Sequence, residues 1–180
     1  MDKFDWSNSN GDLSSMFMLC GKLKKLGTKY LKNIKCTNID TMFSDCSSME
    51  KITLNLDASQ VVYDESNYYT GVGAMFANCY SLKYINLKTL DLSKALRTCG
   101  DVEFFTYCYN LETIVCPEKI NDNVKDLLPL PRNFRDSDGN VYSSAVASKT
   151  LTRKIAYTTY EADCDMSTGT VTFSSIKNGE

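Results

Sequence analysis

The sequence predicts an α/β solenoid in which each repeat supplies a short helix and a short strand, the strands forming a parallel sheet on one side, with a β-hairpin extension at the C-terminal end. Three observations carry this. One phrase is stated four times, the apolar spacing within each statement changes from that of a helix to that of a strand, and the phrase stops at Asn133. The phrase is a Met-Phe or aromatic pair, Cys three residues later, then three aliphatic positions. Its fullest copy is Met75, Phe76, Cys79, Leu82, Ile85, Leu87. The others are Met16, Phe17, Cys20, Leu23, Leu26, then Met42, Phe43, Cys46, Met49, Ile52, Leu54, and finally Phe104, Phe105, Cys108, Leu111, Ile114, Cys116.

One further apolar residue lies upstream of each copy: Leu13, Ile39, Val72 or Val102. With it the apolar positions of the first three copies run i, i+3, i+4, i+7, one face of a two-turn helix. Asp12, Asn38, Thr70 and Asp101 stand where N-caps would stand. After the Cys, the last two aliphatics are two apart, as in Ile85 and Leu87, which places them on one face of an extended segment. Neither piece excludes enough water to fold alone, so the units must stack and share a core. The shortest distance between equivalent cysteines, Cys20 to Cys46, falls in the leucine-rich-repeat range.

The phrase resembles the BspA-type leucine-rich repeats of bacterial surface proteins, in which an aromatic, two spacers, Cys, two spacers and an L-x-x-I-x-L strand recur. The Met-Phe openings and Leu90, Asp91, Leu92, Ser93 are similar to the subgroup described as surface or lipoprotein repeats. That resemblance implies a leucine-rich-repeat solenoid over residues 13–117 that recognises a partner at a cell surface. Residues 1–12, with Phe4 and Trp6, are expected to cap its first repeat. Residues 118–132 are expected to cap its last, through a short helix at Asn121 to Leu130 stopped by Pro129 and Pro131.

The tail, residues 133–180, reads as β-structure. Asp136 to Asn140 contains the Asp-Gly pair of a tight hairpin turn. A calcium loop aligned on Gly139 would need ligands at Phe134 and Ala145, which excludes it. Strands are expected at Lys149 to Tyr160 and Thr170 to Ser175. Two strands alone are marginal in water, so the tail must pack on the repeats, pair with another chain as a homo-oligomer, or continue further.

Composition narrows function. The net charge of −2 gives no general attraction to phosphate backbones, so nucleic acid is not an expected partner. No run is apolar for the ~18 residues of a membrane span, and Met1 to Asn10 lacks the apolar core of a signal peptide. The chain has no histidine, which removes Ser-His and Cys-His nucleophile pairs, and no Cys-x-x-Cys, which removes the usual zinc frameworks. Cys20, Cys46, Cys79 and Cys108 share one repeat position and read as buried structural thiols, leaving disulfides open for Cys36, Cys99, Cys116 and Cys164. The loop carboxylates Asp64, Glu65, Asp136 and Asp138 show no sign of a shared pocket.

The reading is therefore a non-enzymatic interaction module without cofactor or metal, whose partner is a protein or a glycan. Its outward strand residues, Lys51, Thr53, Asn55, Tyr84, Asn86, Lys88 and Thr113, line the candidate binding face. Lys25 is expected to do the same in the first repeat. The insertion bearing Tyr63, Tyr68 and Tyr69 adds a recognition loop, because Tyr offers contact area and a hydroxyl at small rotamer cost. A structural virion component, attached or oligomerised through the β-tail, is the alternative.

Overall fold

The computed structural model describes residues 10–26, 31, 34–61, 71–94, 103–121, 129–153, 159–165, 167–168 and 170–176. Among these it is strand-rich, with mixed sheets, no α-helix and no closed barrel. The strands are β1 Ile34–Lys35, β2 Lys51–Thr53, β3 Leu56–Asp57, β4 Tyr84–Asn86, β5 Asp91–Leu92, β6 Thr113–Val115, β7 Lys119–Ile120, β8 Pro129–Arg135, β9 Val141–Ser144, β10 Thr150–Thr152, β11 Thr159–Asp165 and β12 Thr170–Ile176. Six of them form one sheet in the order β2-β4-β6-β10-β8-β9.

The repeat strands β2, β4 and β6 pair in parallel, with Ile52, Ile85 and Ile114 in register. These isoleucines are buried together with Leu54, Leu87 and Cys116 just beyond them. The strand half of the phrase thus folds as its alternation predicts. Copy one departs from this. Leu23 to Leu26, including Lys25, lie in no strand, and the bond from Glu50 N–H to the Lys24 carbonyl, 3.3 Å, ties them to copy two. A second set of short strands, unforeseen in the sequence, pairs β1 with β3 and β5 with β7 in parallel.

The expected helices are absent from the described residues, for a reason that side-chain spacing cannot reveal. In copy one, alternate N–H groups, those of Leu13, Ser15, Phe17 and Leu19, donate sideways to the carbonyls of Asn38, Asp40, Met42 and Ser44 in copy two. Copy two repeats the pattern: Ile39, Thr41, Phe43 and Asp45 donate to Gly71, Gly73, Met75 and Ala77. The intervening N–H groups of Met16, Met18 and Cys20 bond three residues back. Ser15, Leu19, Thr41, Asp45, Ala74, Asn78 and Tyr107 take positive φ, which a helix forbids. Each left-handed L-residue costs ~1–2 kcal/mol, which the sideways bonds help to offset. Asp12 and Asn38 are not N-caps; their Oδ1 atoms accept the N–H two residues on, as Asx turns, and Asn38 Oδ1 also accepts the Gly71 N–H. Thr70 and Asp101 lie outside the described residues.

The face assigned to a helix is nonetheless the buried one in copies two and three, while in copy one Met16 and Cys20 of that face are exposed. Ile39, Met42, Phe43 and Cys46 are buried, as are Val72, Met75, Phe76 and Cys79. Their phenylalanines stack across copies: Phe17 on Phe43 at 5.2 Å and Phe43 on Phe76 at 5.4 Å, nearly parallel. Three of the four thiols at the shared position, Cys46, Cys79 and Cys108, form the expected buried ladder as free thiols, whereas Cys20, expected to be buried with them, is exposed. Cys46, Cys79 and Cys108 each donate to the Phe carbonyl of the preceding copy, Phe17, Phe43 and Phe76, at 3.0–3.2 Å. Cys36 and Cys116, for which disulfides were open, are also free buried thiols. Cys99 lies outside the described residues.

At the C-terminal side, the expected capping helix is not what meets the repeats. Residues 122–128 lie outside the described residues, and Pro129, Leu130 and Pro131 belong to β8. Strand β10 pairs antiparallel with β6, setting Leu151 against Ile114, and then with β8, setting Thr152 against Arg135. Leu130, Phe134, Ala145 and Leu151 join the repeat core. The expected Asp-Gly turn joins β8 to β9, with Gly139 at φ 83°. The strand expected at Lys149 to Tyr160 is interrupted: β10 ends at Thr152, residues 154–158 lie outside the described residues, and β11 pairs along its length with β12.

Candidate functional site

Because the core residues of the sheet are in register, so are the residues between them. One outward row runs Lys51, Tyr84, Thr113, Thr152, Arg135 across five strands. A second runs Thr53, Asn86, Val115, Thr150. Lys51, Thr53, Thr150, Thr152 and Arg135 are exposed, while Tyr84, Asn86, Thr113 and Val115 are half-buried. The sheet therefore brings together Lys51, Thr53, Tyr84, Asn86 and Thr113. It extends them with tail residues that a reading confined to the repeats misses. Their sequence signal is the exposed pair Thr150 and Thr152 on either side of buried Leu151.

Asn55 and Lys88 stand apart from these rows. Asn55 lines an open depression of about 400 Å³ with Lys35, Asp57, Ser59, Thr89 and Asp91. Lys88 forms an exposed ion pair with Glu118 at 3.4 Å. Tyr63, Tyr68 and Tyr69 lie outside the described residues.

At the tail end of the first row, Asn133, Arg135, Asp136, Thr152 and Arg153 line an open depression of about 530 Å³. Arg135 donates from Nη1 to the Gly139 carbonyl at 2.9 Å. Arg153 donates to the carbonyls of Leu111 and Tyr109, and its guanidinium lies 5.5 Å from the Phe134 ring centre. Asp136 is the organising group. Its Oδ2 accepts from Lys149 Nζ at 3.0 Å, Tyr142 Oη at 3.0 Å and Asn140 Nδ2 at 3.2 Å, while Oδ1 accepts the N–H groups of Asp138 and Asn140. The Lys149 ammonium, followed by the Asn140 and Tyr142 bonds, holds this carboxyl well below its usual range. A carboxylate so fully occupied has no capacity left for general acid or base work, and it fixes the β8–β9 turn instead.

The buried thiols among the described residues are poor nucleophiles. Burial pushes Cys46 and Cys116 up to about 11 and Cys36 and Cys108 up to about 12. No group of metal-ligating side chains occurs among the described residues, and no helix there is long and apolar enough to cross a membrane. Asp64 and Glu65 lie outside the described residues.

A second exposed surface went unrecognised in the sequence. Tyr80, Tyr107 and Tyr109, which adjoin Cys79 and Cys108 in the chain, are 48%, 50% and 51% exposed. In the sequence these tyrosines read as spacers, since they fall between the apolar positions of the phrase. No protein-family model, no curated protein and no solved structure matches the chain.

Proposed function

We propose that the chain is a non-enzymatic interaction module, a leucine-rich-repeat solenoid of the BspA type closed by a β-extension, which binds a protein or glycan partner at a cell surface. The observation that carries this reading is the pair of outward rows, in register over the buried row Ile52, Ile85, Ile114, Leu151. A rigid, polar, multi-strand face with buried support beneath it suits recognition, since little ordering remains to be done on binding. The occupied Asp136 carboxylate and the desolvated thiols favour binding over catalysis.

The test is retention of the fluorescently labelled chain on intact cells. Replacing Lys51, Tyr84 and Asn86 together by Ala is expected to reduce saturable retention at least tenfold while the thermal unfolding midpoint changes little. Undiminished retention by the folded triple variant would remove the sheet face from the function. The alternative, a virion component assembled through the tail, is favoured by one observation: among the described residues β11 and β12 pair only with each other. Such a ribbon is marginal without further packing. Light scattering on the full chain separates the two, a trimer or larger assembly favouring the virion reading.

A further inference from the structure

We propose that the tyrosine ridge at Tyr80, Tyr107 and Tyr109 binds a neutral oligosaccharide, an inference that rests on the interaction-module reading and names its partner class. The sideways backbone bonds, Asp45 to Ala77 and Asn78 to Thr106, set equivalent residues of neighbouring copies beside one another. One outward row therefore runs Leu19, Asp45, Asn78, Tyr107, with Leu19 exposed at its copy-one end. The adjacent row runs Gly21, Ser47, Tyr80, Tyr109, so two rings stand next to two small residues. That small end is close-knit: Ser47 Oγ donates to the Gly21 carbonyl at 3.4 Å.

The ridge is exposed and yet held in place. Tyr80 Oη donates to Asn78 Oδ1 at 3.2 Å, Asn78 Nδ2 donates to Asp45 Oδ1 at 2.9 Å, and Asn110 Nδ2 donates to the Tyr80 carbonyl at 2.7 Å. The Tyr107 and Tyr109 rings meet edge to face, 5.7 Å between centres. Half-exposed rings fixed in this way lose little freedom when a ligand stacks on them.

The chemistry of the two rows selects the ligand. An aromatic face carries negative quadrupole charge and attracts the weakly positive C–H groups on the face of a pyranose. The hydroxyls of the same sugar both donate and accept, which suits a carboxylate, a carboxamide and phenol hydroxyls side by side. The rows contain no Lys or Arg, their one charge is the Asp45 carboxylate, and the Arg153 guanidinium next to Tyr109 is engaged by the Tyr109 and Leu111 carbonyls, so phosphate, sulfate and uronate groups are unfavoured. A protein partner would be met by an apolar centre with Met, Leu or Arg anchors. The one aliphatic of these rows, Leu19, stands instead at the copy-one end, separated from Tyr107 by Asp45 and Asn78, and the positions beside Tyr80 and Tyr109 in their own row are Ser47 and Gly21.

Saturation-transfer difference spectroscopy on the full chain, with cellotetraose, chitotetraose and mannotetraose as probes, tests the proposal. At least one probe is expected to receive transfer at its ring C–H protons, and Tyr107→Ala/Tyr109→Ala is expected to weaken that binding at least fivefold. Should the double variant fail to fold, Tyr109→Ala alone serves. Transfer unaffected by these substitutions would overturn the assignment. Transfer lost instead in the Lys51→Ala/Tyr84→Ala/Asn86→Ala variant would move the sugar to the sheet face, keeping the module and overturning the ridge. No transfer to any probe would overturn the saccharide class, and cell retention would then judge the module separately.

Discussion

Asp40 offers the sharpest test of the packing between copies. It sits in the turn of copy two, 2% exposed, and its Oδ1 has no hydrogen-bond partner. Burial pushes its carboxyl from an ordinary 3.8 up to about 6. The folded chain therefore keeps this proton up to about pH 6, whereas the unfolded chain releases it near pH 4. Between those values the folded state binds more protons, so stability contributed by this group falls as pH rises, and the penalty is fully present above about pH 6. Two pH units correspond to ~3 kcal/mol, of which ~2 to 3 kcal/mol develops between pH 4 and pH 8. Asp40→Asn keeps the shape and removes the charge. Any fixed cost of burying the amide is the same at both pH values, and the other carboxylates cancel between the two proteins. The assay is urea unfolding of both proteins at pH 4 and pH 8. The variant is expected to gain ~2 to 3 kcal/mol on the parent in moving from pH 4 to pH 8, which is ~5–10 °C in a thermal melt for a chain of this size. A stability gap that stays constant within ~0.5 kcal/mol, or that shrinks toward pH 8, would refute the buried-carboxylate argument.

Two further outcomes follow from the same core. Phe76 is fully buried between Phe43 and the Phe104–Phe105 pair, so Phe76→Ala is expected to cost ~3–5 kcal/mol in urea unfolding; a loss under ~1 kcal/mol would show that the ring stack is not supporting the fold. On a Cys99→Ser/Cys164→Ser background, a disulfide reagent at pH 8 is expected to modify the exposed Cys20 alone in the folded state. The five buried thiols, Cys36, Cys46, Cys79, Cys108 and Cys116, should wait for unfolding, and a native burst of more than one equivalent would contradict the thiol ladder.

Which side chains meet was more legible than how the backbone runs. Phe43, Phe76, Met75 and Cys79 are buried as the spacing required, because any backbone that brings residues i, i+3, i+4 and i+7 to one side satisfies the same pattern. A helix does so with bonds inside the copy. This chain does so with left-handed residues such as Thr41 and Asp45 and with bonds to the neighbouring copy, and a single copy's spacing carries no trace of a bond to another. The candidate rows were legible for the same reason that Ile52, Ile85 and Ile114 were: alternation fixes a face. Their extension through Thr152 and Arg135 was not, since adding a strand from the tail is a long-range pairing that no local signal announces. The prolines at 129 and 131 read as helix stops; they fall instead in β8, whose register with β9 shifts between Pro129 and Phe134, an irregularity that tolerates residues lacking an N–H.

Over residues 13–19 the sideways bonds run one way, from copy one to copy two, and this gives copy one a divided character. Its Leu13, Ser15, Phe17 and Leu19 amides all point toward copy two and are engaged there, while Met16, Met18 and Leu19 are 40%, 41% and 68% exposed, against complete burial of Met42 and Met75. Amide hydrogen exchange in copy one should therefore be slow at Ser15 and Leu19 even though these side chains are open to solvent, since exchange there requires copy one to part from copy two. Protection along the chain would then follow the direction of bonding and not the depth of burial.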